Sequence, residues 1–256
     1  MKIDVIVPTN NIEQINGFIN SFSQLGFFRS FCQLVIIGNG EVHQKDIEYK
    51  NSVSIKFIRI DEDYHDKLIP FSRLRGEGMK DSKSDFFLFM DDDNRFPGGC
   101  DCYFINCVQY LINTPVCSIL QADRKRNKKT GAHYKSDGFY WTGYGLFIKN
   151  IIQDYSALLS FNGCCEETLF AYETLNLDGL AYIYYGNPTY RAIEKDPKWN
   201  ENNNPSYSEK VIMNNIQGYI QEKYCDKEWS YYNDIPNTKL PNLLQEKINK
   251  RIKYEI

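Results

Sequence analysis

Three consecutive carboxylates and an amide, Asp91-Asp92-Asp93-Asn94, stand directly after the apolar run Phe86-Phe87-Leu88-Phe89-Met90. An apolar run without alternation reads as a strand buried on both faces, the pattern of a central parallel strand. In an open α/β sheet, ligands bind just beyond the carboxyl ends of the strands, which puts these acids at the mouth of a site. Carboxylates this close repel one another unless positive charge lies between them. Hard oxygen ligands suit a divalent cation, Mg2+ or Mn2+. The alternative is a solvated acidic turn, since Asp and Asn are ordinary turn residues.

The elements around this stretch follow a regular rhythm. Asp4 to Thr9 is a short apolar strand, and Asn10 or Asn11 can cap the helix traced by Ile12, Ile15, Phe18, Ile19 and Phe22, which closes at Leu25-Gly26. Leu34 to Ile37 is a second strand ending in Gly38-Asn39-Gly40, and Val53 to Ile60 is a third, ending in Asp61. Pro70 to Lys83 is compatible with a helix that carries its proline at the start. Strands alternating with helices predict a mostly parallel central sheet flanked by helices. Further helices are expected at Asp101–Ile112 and Glu166–Leu177, and further strands at Val116–Gln121, Phe139–Lys149 and Leu180–Tyr185. Glu194 to Tyr207 reads as a loop, and Arg124 to Lys129 as a basic, solvated one.

Composition narrows the class. A hydrophobic fraction of 42% with 25% charged residues is that of an ordinary globular chain, and 256 residues suffice for a sizeable core. A net charge of −3 provides no general attraction to nucleic acid, which is not expected as a partner. No signal-like start is present, and no apolar run approaches the roughly 18 residues of a membrane span. The eight cysteines lack a paired zinc spacing, and Cys100-x-Cys102 and the vicinal Cys164-Cys165 read as reduced filler, which points to the cytoplasm.

Several of these segments together resemble the GT-A glycosyltransferases, specifically their large family 2 group. Val5-Ile6-Val7-Pro8-Thr9 is similar to the opening strand of that group and Leu34 to Gly40 to its second. Arg75-Gly76-Glu77-Gly78 followed by Phe89-Met90-Asp91-Asp92-Asp93 is similar to the RNxG helix and the F-L-D-x-D strand, the DXD motif. Thr142 to Ile148 resembles the glycine-bearing acceptor strand, and Gly163 to Leu169 the Glu-Asp motif that opens a helix. The resemblance covers about residues 3–195.

The resemblance implies a nucleotide-diphospho-sugar transferase that moves a sugar, with inversion, to a hydroxyl of a glycan, glycolipid or other acceptor. Asp93, Asp91 and Glu194 would hold Mn2+ or Mg2+, with Asp91 otherwise meeting the donor ribose and Asp196 an alternative to Glu194. Thr9, Asn39, Asp61, Arg75 and Asp92 would line the nucleotide-sugar site, with a UDP-sugar favoured. Glu167 and Glu166 are the candidate general bases, because a carboxylate near the anomeric carbon can take the acceptor's proton. Their plain alternative is complementation of a helix dipole, and that of Arg75 is a surface salt bridge.

Two departures stand out. Gly38-Asn39 replaces the frequent Asp-Asp pair, which leaves the preference for uracil open. His43, His65 and His133 are the histidines, and none follows the last strand, where the group often places a metal ligand. Trp199 could cover the donor or anchor the tail.

Two other functions compete: a binding module on a transferase-like fold, and a nucleotidyltransferase, which the lack of a glycine-rich loop after Thr9 disfavours. Residues 1–200 are expected to form the catalytic domain and 201–256 a helical extension, with segments near 208–223 and 241–254. In the latter, Leu244, Ile248 and Ile252 recur beside Lys247, Lys250, Arg251 and Lys253. That stripe can pack on the domain or make peripheral contact with an anionic membrane.

Overall fold

The computed structural model describes residues 1–61, 71–114, 117–122, 145–150, 180–184 and 189–191. The first strand, β1 (Ile3–Thr9), is buried along its whole length, as a run apolar on both faces requires. Helix α1 (Ile12–Phe22) follows, and of the two possible caps it uses Asn11, whose side-chain oxygen accepts from Gln14 N at 3.0 Å. Strand β2 (Cys32–Gly38) pairs in parallel with β1, and β3 (Ser54–Arg59) in parallel with β2. Helix α2 (Phe71–Met79) then delivers the chain to β4 (Phe86–Phe89), which pairs in parallel with the other edge of β1.

Beyond the acids, the two-residue strand β5 (Asn94–Arg95) precedes α3 (Asp101–Asn113). Strands β6 (Cys117–Ala122), β7 (Leu146–Lys149), β8 (Leu180–Tyr184) and β9 (Tyr190–Arg191) complete the described elements. The main sheet has the order β3-β2-β1-β4-β7-β6-β8. It is mostly parallel, and β7 alone runs against its neighbours β4 and β6. β5 and β9 form a separate antiparallel pair beside it.

Both faces of the sheet are covered, the condition a parallel sheet imposes. Val5, Val7, Leu34, Ile36 and Leu88 point to one face and join Phe18, Phe22, Phe28, Phe96 and Phe104 of α1, α3 and the segments around them. Several of these rings meet edge to face, Phe96 against both Phe18 and Phe22 at 5.3 and 5.4 Å between centroids. The opposite face packs on α2, where a Cβ at Gly78 would lie 2.7 Å from Ile6 and 3.2 Å from Ile37. The helix therefore lies on β1 and β2 at a distance only glycine permits. At the far end of the sheet, buried Asp4 accepts from the Ser82 and Ser84 hydroxyls, each at 2.6 Å. Cys32 and Cys107 are buried and their thiols are pushed up by that burial, as expected of inert filler.

Among the described residues no helix is long and apolar enough to cross a membrane. The expected helix at Glu166–Leu177, the loop from Glu194 to Tyr207, the basic loop and the extension 201–256 lie outside the described residues.

Candidate active site

The carboxyl ends of β1, β2, β3 and β4 all open on one edge of the sheet, which gathers Thr9, Asn39, Asp61 and Asp91–Asp93 there. β1 is central in that group because it pairs with both β2 and β4. Met90 N still bonds to Ile6 O at 3.2 Å, after which the chain leaves the sheet. A turn closes at once, with the backbone and side-chain nitrogens of Asn94 donating to Asp91 O at 3.2 and 3.1 Å. The acids are thus displayed on a short, hydrogen-bonded loop rather than on a free one.

Arg75 is the most buried cation of the site, at 1% exposure, and its Nη2 donates to Asp91 Oδ1 at 2.9 Å. Its guanidinium carbon also lies 5.5 Å from the centre of the Phe89 ring. A surface salt bridge, one of the two roles expected from sequence, is excluded by this burial. The close seat of Gly78 on the sheet brings α2, and Arg75 with it, within reach of that carboxylate.

Thr9 ties the first strand to the same loop. Its hydroxyl donates to Asp92 Oδ2 at 2.6 Å and accepts from Asn11 N at 3.2 Å. Burial above all pushes the Asp92 carboxyl up to about 7. Thr9 opposes this, the neighbouring charges of Asp91 and Asp93 add to it, and Arg95 opposes it.

A carboxyl whose pKa is higher in the folded than in the unfolded chain costs stability as it ionises. Between its ordinary range and about 7 the folded state holds the extra proton, so its contribution falls as pH rises through that window and stays lost above it. Asp92→Asn is therefore expected to raise the melting temperature, by more at pH 8 than at pH 5. A thermal-shift comparison at the two values checks it; an equal or smaller gain at pH 8 would contradict the assignment.

On the other side of Thr9, Asn39 N donates to Thr9 O at 2.9 Å, and Val42 N returns to Asn39 O at 3.2 Å. Asn39 is buried, and among the described residues its amide nitrogen has no hydrogen-bond partner. The glycine before it has a physical reason. A Cβ at Gly38 would lie 2.8 Å from Phe57 Cε2, nearer still to Cζ, and 3.1 Å from Val42 O, so a carboxylate where the related motif often has one would have to displace the ring. Asp61 stands exposed at the rim, ion-paired with Arg59, which also donates to Val42 O.

Direct hydrogen bonds join Thr9 to Asp92 and Arg75 to Asp91, neighbours in the chain, with Asn39 one bond from Thr9 and Asp93 next to Asp92 on the same turn. Asp61 shares the edge without touching the loop in any bond described. Glu166, Glu167, Glu194 and Asp196 lie outside the described residues. Two site residues were not anticipated from sequence: Arg95, whose Nη1 donates to the carbonyls of Asp92 and Asn94, and Gly17, against which it packs. A glycine inside an amphipathic helix was the available signal for the second.

Among the described residues no three His, Cys, Asp or Glu side chains converge into a cation cage. The donor set nevertheless suits Mg2+ or Mn2+. Such ions are commonly held by one or two carboxylates together with substrate phosphates and water. Asp91 and Asp92 are partly engaged by Arg75 and Thr9, with Asp93 beside them on the same turn.

No protein-family model and no curated protein sequence matches the chain. Solved structures do. A mannosyltransferase from Pyrobaculum calidifontis, in complex with GDP-Man and Mn2+, is 13% identical at a TM-score of 0.54. The match covers 77% of this chain and 58% of that one. TarS 1–349 of S. aureus in complex with UDP-GlcNAc is 15% identical at 0.52, over 86% of this chain and 67% of that one. Glucosyl-3-phosphoglycerate synthase from Mycobacterium tuberculosis, in complex with Mn2+, UDP and phosphoglyceric acid, is 12% identical at 0.54, over 85% and 78%. These are GT-A glycosyltransferases, and at such identities the likeness speaks for architecture. The chain is built on the GT-A fold.

Proposed function

We propose that this chain is a glycosyltransferase that moves a sugar from a nucleotide diphosphate to a hydroxyl acceptor with the help of a divalent cation. The observation that carries the reading is the Asp91–Asp93 loop, held by Arg75 and Thr9 at the carboxyl edge of a GT-A sheet. The structural neighbours add support, since their complexes contain GDP-Man, UDP-GlcNAc or UDP, two of them with Mn2+. Because this chain spans 58% of the mannosyltransferase, donor and acceptor are part of the proposal.

Asp93 and Asp91 are the proposed protein ligands for Mn2+ or Mg2+. Glu194 is the proposed third, a reading supported by the pairing of β5 with β9, which returns the chain to the loop at Arg191. When bound, the cation neutralises the charge that develops on the leaving diphosphate. Thr9 and Asn39 line the base end, where the Asn39 amide nitrogen, without a partner among the described residues, can donate to a carbonyl of the base. Glu167 takes the proton of the acceptor hydroxyl as that oxygen bonds to the anomeric carbon. The bond from that carbon to the diphosphate oxygen breaks on the opposite side, with inversion. The acceptor is a glycan, a glycolipid or another hydroxyl compound, and for a lipid acceptor the basic stripe of 241–254 would meet the membrane surface.

The test is a melting-temperature screen against UDP, GDP, CDP and dTDP with and without Mn2+, followed by incubation with the matching nucleotide sugars. Ligands that favour the folded state raise its melting temperature by mass action. A Mn2+-dependent rise for one base and slow release of free sugar from its donor are expected. No response to any nucleotide would overturn the reading. Nucleotide binding without donor turnover, even with added acceptors, would leave a binding module.

A further inference from the structure

Arg95 is outside the acid cluster, yet it grips the loop that carries it. Its Nη1 donates to Asp92 O and to Asn94 O, both at 2.8 Å. These two carbonyls flank Asp93 in the chain, so one planar group fixes the backbone on either side of that carboxylate. The guanidinium is seated against α1 at Gly17, where a Cβ would lie 2.8 Å from Cζ and 3.0 Å from Nε.

Glycine in the interior of this 11-residue helix lowers its stability relative to alanine. Gly17 adopts no positive φ, so backbone conformation does not demand it. The space it leaves for Arg95 does. Phe18 and Phe22 of the same helix hold Phe96, the residue after Arg95, by edge-to-face contacts. Pairing of Arg95 with Tyr190 fixes the strand from its other side.

We propose that Arg95, seated in the notch left by Gly17, is a positioning residue that holds Asp93 in the orientation needed for the divalent cation. This rests on the reading of Asp93 as a cation ligand. A guanidinium suits the task because the two N–H groups of its Nη1 are fixed in the plane of the group and each meets one carbonyl, whereas an ammonium on a flexible stem rotates freely. Alanine at 17 would push the guanidinium off its seat and off those carbonyls, while leaving its charge in place.

The full chain is tested with Mn2+ and UDP. Mn2+ affinity is read by electron paramagnetic resonance at saturating UDP, UDP affinity without metal by calorimetry, and folding by melting temperature. Arg95→Ala and Gly17→Ala are each expected to weaken Mn2+ binding tenfold or more, with metal-free UDP affinity within twofold of the wild type. In the double variant the losses should not add. Its melting temperature should exceed that of Arg95→Ala alone, because alanine strengthens the helix once the notch is empty.

Wild-type Mn2+ affinity in a folded Gly17→Ala, or additive losses, would overturn the positioning role. If Arg95→Ala does not fold, Gly17→Ala decides by itself. A wild type that binds UDP equally well with and without Mn2+ would overturn the cation reading, and this proposal with it. Metal-dependent binding left unchanged in both variants would overturn only the role of Arg95.

Discussion

Asp93→Asn is expected to weaken Mn2+-dependent nucleotide binding by on the order of a hundredfold, about 3 kcal/mol, with the fold intact. The amide keeps the size and most of the hydrogen bonding of the carboxylate and removes its charge. A cation held by few protein ligands depends heavily on each of them. Asp91 offers a less clean experiment, because its carboxylate also satisfies buried Arg75. Removing one partner of a buried pair costs about 3 kcal/mol of stability or more, so Asp91→Asn mixes folding with binding. Asp92→Asn is complicated in the other sense, since it relieves a carboxyl already pushed up to about 7 by burial. Calorimetry of nucleotide binding with and without Mn2+, beside a melting curve, checks Asp93. An unchanged metal-dependent affinity would remove Asp93 from the site and leave the acidic loop as a solvated turn.

Glu167→Gln is expected to reduce transfer by on the order of a hundredfold to ten-thousandfold while donor binding persists. This is the range for loss of a positioned base. The glutamine retains the shape of the side chain and cannot accept the acceptor's proton. Glu166→Gln should cost much less, because on the helix expected from sequence at Glu166–Leu177 adjacent residues would point about 100° apart and the two would not serve one substrate atom equally. A first-turn charge that only complements the helix dipole contributes about 1 kcal/mol or less, too little to abolish turnover. Single-turnover rates with bound donor, together with donor affinity for each variant, distinguish these outcomes. A dead Glu166→Gln beside an active Glu167→Gln would move the base one residue back. Two active variants would place the base elsewhere in the chain.

The strands that present the site were legible from local pattern alone. β1, β2 and β4 are buried on both faces, and unbroken apolar runs such as Phe86–Met90 have no other stable place in a globular chain. The cap of α1 was legible for a similar reason, since an Asn side chain reaches a backbone nitrogen three residues ahead. Strand direction was not. The run that became β7 carries the same apolar character as the strands it runs against, and alternation or its absence does not record which way a strand runs.

The pairings within the site were beyond local pattern as well. Thr9 and Asp92 are 83 positions apart, and nothing near either residue announces the other. Arg75 and Asp91 were both marked by their motifs, but their types alone left a solvated ion pair open. Only the packing of α2 on the sheet through Gly78 buried the arginine. Gly38 reads in sequence as a missing carboxylate, whereas the Phe57 ring lies where its side chain would be; Gly17 carries no reading in sequence, and only the fold sets Arg95 against it. Local pattern thus placed Thr9, Asn39, Asp61 and Asp91–Asp93 at the carboxyl end of the strands, because burial and capping are written in neighbouring residues. The tertiary structure decided which of them touch and what each contact costs, because those forces act across the fold between side chains that the chain order keeps far apart.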